Sequence, residues 1–515
     1  MAYSNLPPAE MTAKSANTLP PLLSGRARQR RIFDLRAAMA QAENFATWRS
    51  NALELDGLEG MEEWKLNPVS PHFQHELIER RLNNLQTWRK ARDWGQIMFS
   101  LREGLHRNLG NLANPELYKH CHVGTKRLID DYINEVTSLL NYLCDNEVAE
   151  LPYAEKLLFF KQTGHSFGRS ALLLSGGANM GMFHLGVIKA LLEQKLLPRV
   201  VSGSSAGSIM AALAGSRLDS ELAALFSGES INMDAWRWLT LGEMWREKAL
   251  MDNRQLEIYL RRNVGEYTFE EAFLRTKRII NITVSPVAHN HQPRLLNYLT
   301  TPHLTIWSAV LASCAVPGLF PPVTLISKDR NGEHRPYMPS IKWVDGSLKS
   351  DLPTRRLAEL YNVNHHIVSQ TNPHVLPFLS DQKRKDSWTS FLTGFIKSEI
   401  QFRSKQLLQL SAYGLEPGLT KQVLDHALAM VEQQYYGDVT IHPQFRTEHY
   451  AHLVGNITLP EFQRRVLEGE QATWSKVVMI RDQTIIGQTL EDCIQRLKRQ
   501  RRQQATRAKS KKEAA

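Results

Sequence analysis

Between Arg169 and Thr371 the chain alternates short, apolar, β-branched runs with stretches whose apolar residues recur at helical spacing. RSALLLSGG (169–177) leads into GMFHLGVIKALLEQKLL (181–197), and RVVSG (199–203) leads into SAGSIMAALAG (205–215). RIINITVSP (278–286), RLLNYLT (294–300), IKWVDGS (341–347) and HHIVSQT (365–371) read as further strands. Near-continuous apolar runs are what strands buried on both faces look like. The alternation therefore predicts an α/β fold, a sheet covered by helices.

The flanks read differently. Residues 1–30 are expected to be a flexible leader, with Pro7, Pro8, Pro20 and Pro21 ahead of a basic cluster from Arg26 to Arg31. Residues 31–165 form an N-terminal helical region: His75–Arg92 and Leu128–Leu143 place apolar residues three and four apart. Gly104, Gly110, Pro115 and Gly124 interrupt the helices between them. The α/β core takes 166–375, a helical and irregular extension 376–495, and a basic, disordered tail 496–515.

That tail holds nine Lys/Arg against one acid, Glu513, so +8 of the formal +11 net charge sits there. Two readings stand, a solvated end or a tether to anionic lipid, where each basic residue near the surface is worth about 1 kcal/mol. Nucleic acid ranks below both, because no recognition fold accompanies the tail. The most apolar stretch, Ala171–Leu192, is broken by Gly176, Gly177, His184 and Lys189, so it reads as buried strand and helix and not as a membrane span. The start, MAYSNLPPAEM, lacks a secretory pattern. Cys121, Cys144, Cys314 and Cys493 are scattered without metal-site or disulfide spacing, which fits a reducing cytoplasm.

Three groups of residues point to chemistry. Gly203-Ser204-Ser205-Ala206-Gly207 fits G-x-S-x-G between a strand and a helix, where a sharp turn exposes a nucleophile and demands small neighbours. Ser205 would then face the helix N-terminus, which favours developing negative charge. Ser175-Gly176-Gly177-Ala178-Asn179-Met180-Gly181 can present backbone N–H groups to an oxyanion. A phosphate loop is the competing reading, but the Walker Lys-Ser/Thr pair and G-x-G-x-x-G are both missing. Asp345-Gly346 closes a strand, which suits a base for Ser205; alone, an Asp-Gly pair is a common turn.

Together these pieces resemble the patatin-like phospholipase family, which carries a Gly-rich oxyanion loop, G-x-S-x-G and D-G-[AG] in this order. Ser308–Val323 is similar to the helix and Pro-Gly turn that precede the family's aspartate strand. The resemblance covers about 169–370. LNYLC, GTKRLIDDYINEV, YYGDVTIHP and GEQATW are similar to segments of a subgroup that contains triacylglycerol lipases. The resemblance implies a three-layer α/β/α core and a Ser205–Asp345 dyad without a triad histidine. It further implies an oxyanion hole from Gly176, Gly177, Ala178 and Gly181, an elbow shaped by Gly203, Ala206 and Gly207, Gly346 behind the base, and neither cofactor nor metal. Three positions depart from the pattern: Ala178 and Met180 replace a loop glycine and a basic residue, and Ser347 ends the D-G-[AG] motif.

The implied activity is release of fatty acids from acylglycerols or phospholipids through an acyl-enzyme. A lipid transacylase would share the dyad, and a non-catalytic lipid-binding scaffold would share the fold. An α/β-hydrolase triad would need a late histidine; His365, His366, His374, His426, His442, His449 and His452 follow Asp345, none in a glycine-rich loop. Residues 383–410 place Trp388, Phe391, Leu392, Phe395, Ile396 and Ile400 on one helical face, with Lys383, Arg384, Lys385 and Lys397 elsewhere. That pattern fits an interfacial helix, and it also fits a helix packed on the core, the commoner source of such a stripe. The expected partner is a lipid substrate, met in the cytoplasm at a membrane or lipid-droplet surface.

Overall fold

The computed structural model describes residues 25–247, 249–287, 292–347, 351–372, 436–444 and 455–513. Its strands are β1 (Arg169–Leu174), β2 (Val200–Gly203), β3 (Ile279–Pro286), β4 (Arg294–Leu296), β5 (Leu325–Lys328), β6 (His334–Tyr337), β7 (Trp343–Asp345), β8 (Val363–Ser369) and β9 (Val439–Ile441). Seven of them form one sheet in the order β4-β3-β2-β1-β8-β9, with β7 also paired to β3; β5 and β6 form a separate hairpin. β1, β2, β3, β8 and β9 run parallel, while β4 and β7 are antiparallel to β3.

Alternate residues along a strand face opposite ways, and here both faces are covered. Leu172 and Leu174 of β1 pack with Phe183, Ile188, Met210 and Leu213 from the helices Met182–Glu193 and Ala206–Ser216. Ala171 and Leu173 pack the other way, with Leu357 and Tyr361 of the helix Thr354–Tyr361. The core is thus a three-layer α/β/α arrangement.

A second core holds the N-terminal helices. In Arg127–Asp145 the buried residues Ile129, Tyr132, Ile133, Val136, Leu139, Leu140 and Leu143 keep three- and four-residue spacing. Ile486, Leu490, Cys493 and Leu497 from the helix Val477–Glu513 complete that cluster, while Val477, Met479 and Ile480 of the same helix join the catalytic core. One C-terminal helix therefore binds both layers.

The ends correct the sequence reading. The first described helix starts at Gly25, so the basic cluster Arg26–Arg31 is helical and not leader. The basic end, expected to be disordered, continues a helix to Glu513. The apolar spacing runs on through Leu497, Lys and Arg are good helix formers, and basic charge suits a helix C-terminus. Arg496 pairs with Asp145 at 2.5 Å. β9 was not foreseen, since a strand of three residues carries too little pattern. The amphipathic segment 383–410 lies outside the described residues.

Candidate active site

Leu174 is in register with Gly203 on one side and Ser369 on the other, so β1, β2 and β8 end at one level. Ligands of open α/β sheets gather at this carboxyl edge. The residues that leave it, Ser175–Gly177, Ser204–Ser205 and Gln370–Thr371, meet in one place.

Ser205 sits just before the helix Ala206–Ser216 with φ 50° and ψ −123°. Such a backbone costs about 1–3 kcal/mol in a residue with a side chain and persists where its surroundings enforce it. Enforcement comes from both sides. A Cβ on Gly203 would strike the Gly207 carbonyl, and one on Gly207 would strike the Leu174 carbonyl, so only glycine closes this turn. The Ser205 N–H donates to Ser313 Oγ (3.0 Å), whose hydroxyl donates to the Thr283 carbonyl (2.8 Å).

Asp345 reaches the same edge from β7, opposite Val284 of β3. Gly346 permits the approach, because a Cβ there would lie 2.5 Å from the Thr283 carbonyl. The carboxylate is buried and accepts the Ser347 N–H (2.8 Å). The Ser347 and Ser205 hydroxyls also favour its ionised form. Burial lifts its pKa from 3.8 to about 6, and the hydrogen bonds restrain the rise.

The glycine loop packs against this pair. Gly176 lies beside Ser205: a Cβ there would be 3.5 Å from the Ser205 Cβ. Gly177 has no room for a side chain, which would strike Thr371. The amides of Gly177 and Ala178 donate to no described residue. Gly181 meets Ala206, where a Cβ would lie 2.7 Å from the alanine's own. Gly176 departs from the expected oxyanion set, because its N–H is taken by Asp351 Oδ1 (3.0 Å).

Beneath the loop lies His184, which burial drives down to about 4 and hence to the neutral form. Its Nδ1 accepts from Ser369 Oγ (2.7 Å) and its Nε2–H donates to the Ser175 carbonyl (3.0 Å), with Thr371 Oγ1 also near (3.1 Å), so its hydrogen bonds go to the loop and its neighbours and not to Ser205 or Asp345. His365 is tied to Ser170 and Gln483 near the opposite end of β8, and His366 to Asp438. His442 bonds the Pro443 carbonyl. His374, His426, His449 and His452 lie outside the described residues.

The family described as patatin-like phospholipase matches residues 172–358, and a domain of unknown function (DUF3336) matches 25–165. The chain is similar to triacylglycerol lipase SDP1L of Arabidopsis thaliana, at 39% identity over 91% of this chain and 59% of that protein. It is 37% identical to triacylglycerol lipase 4 of Saccharomyces cerevisiae, over 86% of this chain and 50% of that protein. It is 32% identical to triacylglycerol lipase ptl3 of Schizosaccharomyces pombe, over 88% of this chain and 95% of that protein. The chain belongs to the patatin-like phospholipase family. It spans between half and three fifths of the first two relatives.

Two of the three departures of this patatin-like chain have local explanations. Nothing in the structure explains Ala178, which holds φ 49°, where glycine would be unstrained. Met180 is buried, so a basic residue there would face desolvation. Ser347 adds a hydroxyl to the Asp345 carboxylate. Sequence reasoning missed Asp351, Ser313 and Thr371, whose positions follow from chain crossings and carry no local motif. It also missed a cluster of Asp56, Glu59 and His122, in which Asp56 already accepts from the His122 and Val123 amides (2.8 and 3.0 Å) and from Lys65 (3.3 Å).

Proposed function

We propose that this chain is a serine acyl-ester hydrolase that releases fatty acids from acylglycerols or phospholipids. The observation that carries the reading is Ser205, strained at a helix N-terminus, beside a buried Asp345 whose ionised form its hydroxyl favours. Asp345 takes the Ser205 proton as Oγ attacks the ester carbonyl. The Gly177 and Ala178 amides bind the oxyanion, where one such donor is worth about 2.7–4 kcal/mol of barrier. Collapse expels the alcohol, which takes the proton from Asp345. Asp345 then deprotonates a water, which attacks the acyl-Ser205 ester; the fatty acid leaves and Oγ recovers its proton. A raised pKa makes Asp345 a stronger base than an exposed carboxylate. The names of the three relatives support triacylglycerol as a substrate.

Among the described residues, no helix is long and apolar enough to cross a membrane. A lipid surface is nevertheless the proposed docking partner. Trp238, Leu241 and Trp245 are 53%, 73% and 76% exposed on one connecting segment. The same segment reaches the site, because Trp236 Nε1 donates to Asn179 Oδ1 of the glycine loop (3.1 Å). Indole rings favour the boundary between water and lipid. In a flotation assay with phosphatidylcholine liposomes containing triolein, the Trp238→Ala/Trp245→Ala pair is expected to stay with the soluble fraction. Flotation equal to the parent's rejects this surface. The function itself is tested by fatty-acid release from triolein, diolein, phosphatidylcholine and lysophosphatidylcholine. Release from at least one class, lost in Ser205→Ala, is expected; release by Ser205→Ala at the parent rate rejects the reading.

A further inference from the structure

We propose that Asp351 is a positioning residue that locks the oxyanion loop to the nucleophile elbow, an inference that rests on the hydrolase reading above. Asp351 is buried behind the site and bonds three separate strand ends. Its Oδ1 accepts the Gly176 N–H (3.0 Å), its Oδ2 accepts Asn372 Nδ2 (3.2 Å), and its backbone carbonyl accepts Ser204 Oγ (2.9 Å). Gly176 directly precedes the donor Gly177, and Ser204 directly precedes the nucleophile Ser205. One residue thus ties the group that stabilises charge to the group that attacks.

The planarity of the peptide bond converts this tie into direction. The Gly176 carbonyl and the Gly177 N–H belong to one trans peptide and point opposite ways. That carbonyl accepts from Ser175 Oγ (2.9 Å) and Thr371 Oγ1 (3.1 Å). Asp351 fixes the preceding N–H, so the backbone on both sides of the Gly176 Cα is held and the Gly177 N–H has one aim. Without Asp351 the Gly176 N–H is buried without its acceptor, and the loop must turn to find another. A misplacement of about 1 Å in such a site costs about 100-fold in rate.

The test compares Asp351→Ala, Asp351→Asn and Ser204→Ala in hydrolysis of the water-soluble ester p-nitrophenyl butyrate, with Ser205→Ala as control. Asp351→Ala should lower kcat about 100-fold while KM stays within about 3-fold, the mark of a contact realised in the transition state. Asp351→Asn keeps a carbonyl oxygen for Gly176, and a flip of the Asn372 amide restores the second bond. It should recover kcat to within about 5-fold of the parent, a rescue that loss of packing would not show. Ser204→Ala cuts only the elbow side and should cost about 10-fold in kcat, which keeps the proposal testable if Asp351→Ala does not fold. Parent-like kcat in Asp351→Ala, or in Ser204→Ala where the first variant is lost, overturns the proposal; so does an Asn variant as slow as the Ala variant. If Ser205→Ala retains the parent rate, the hydrolase reading fails instead.

Discussion

Asp345 carries a conflict between stability and chemistry. Its pKa stands near 6 in the folded protein against 3.8 as the reference value, because burial opposes the charge. The protonated carboxyl is therefore the form that folding favours. Its stabilising contribution is present below pH 4 and is lost as pH rises through 6, by about 3 kcal/mol at about 1.4 kcal/mol per pH unit. Catalysis needs the other form, so kcat/KM should rise with pH to a plateau, with a limb near 6. Asp345→Asn should abolish turnover and raise the free energy of unfolding above pH 7, with the gain shrinking below pH 4; urea titrations at both pH values measure this. Ser347→Ala removes a hydrogen bond that favours the ionised form, so its pH–rate limb should move upward. A limb unmoved by that change would show that the Ser347 hydroxyl does not tune the base.

The elements around the site were largely legible because each obeys a local rule. β1 is a short apolar run that leads into Ser175-Gly176, β2 is another that ends in Gly203, and the elbow needs Gly203 and Gly207 where two backbones touch. Gly207→Ala should cost about 1–3 kcal/mol and displace Ser205, since the new methyl meets the Leu174 carbonyl and not a movable side chain. Circular dichroism melts and turnover of a soluble ester check both effects. What stayed hidden depends on partners distant in sequence. Asp345 was read as a strand end, but β7 runs antiparallel to β3, a fact that WVD cannot reveal in three residues. Gly176 was read as an oxyanion donor because glycine runs expose amides; that its N–H faces Asp351 is set by the segment after β7.

At the scale of the whole molecule, the helix Val477–Glu513 joins the catalytic core to the N-terminal helices. Charge dominates its end and suggested disorder, because composition outweighed the weak apolar period through Leu490, Cys493 and Leu497. The packing is specific: Leu497 is 1% exposed, its carbonyl accepts from Tyr153 (3.1 Å), and Arg496 meets Asp145. Removal of residues 496–515 should therefore destabilise the chain by about 2–4 kcal/mol, mostly from one buried leucine. A lower thermal unfolding temperature checks it; a free tail would leave that temperature unchanged. Arg107 adds a polar seam between the same layers, with bonds to Ser170 (3.1 Å) and the Gly168 carbonyl (3.1 Å).

During turnover the acyl group should sit on Ser205. Rapid acid quench of the protein with p-nitrophenyl butyrate, followed by peptide mass spectrometry, reads this directly. A butyryl group on Ser205 is expected, with no adduct and no turnover in Ser205→Ala. An acyl group on another residue, or continued turnover without Ser205, would rule out Ser205 as the nucleophile.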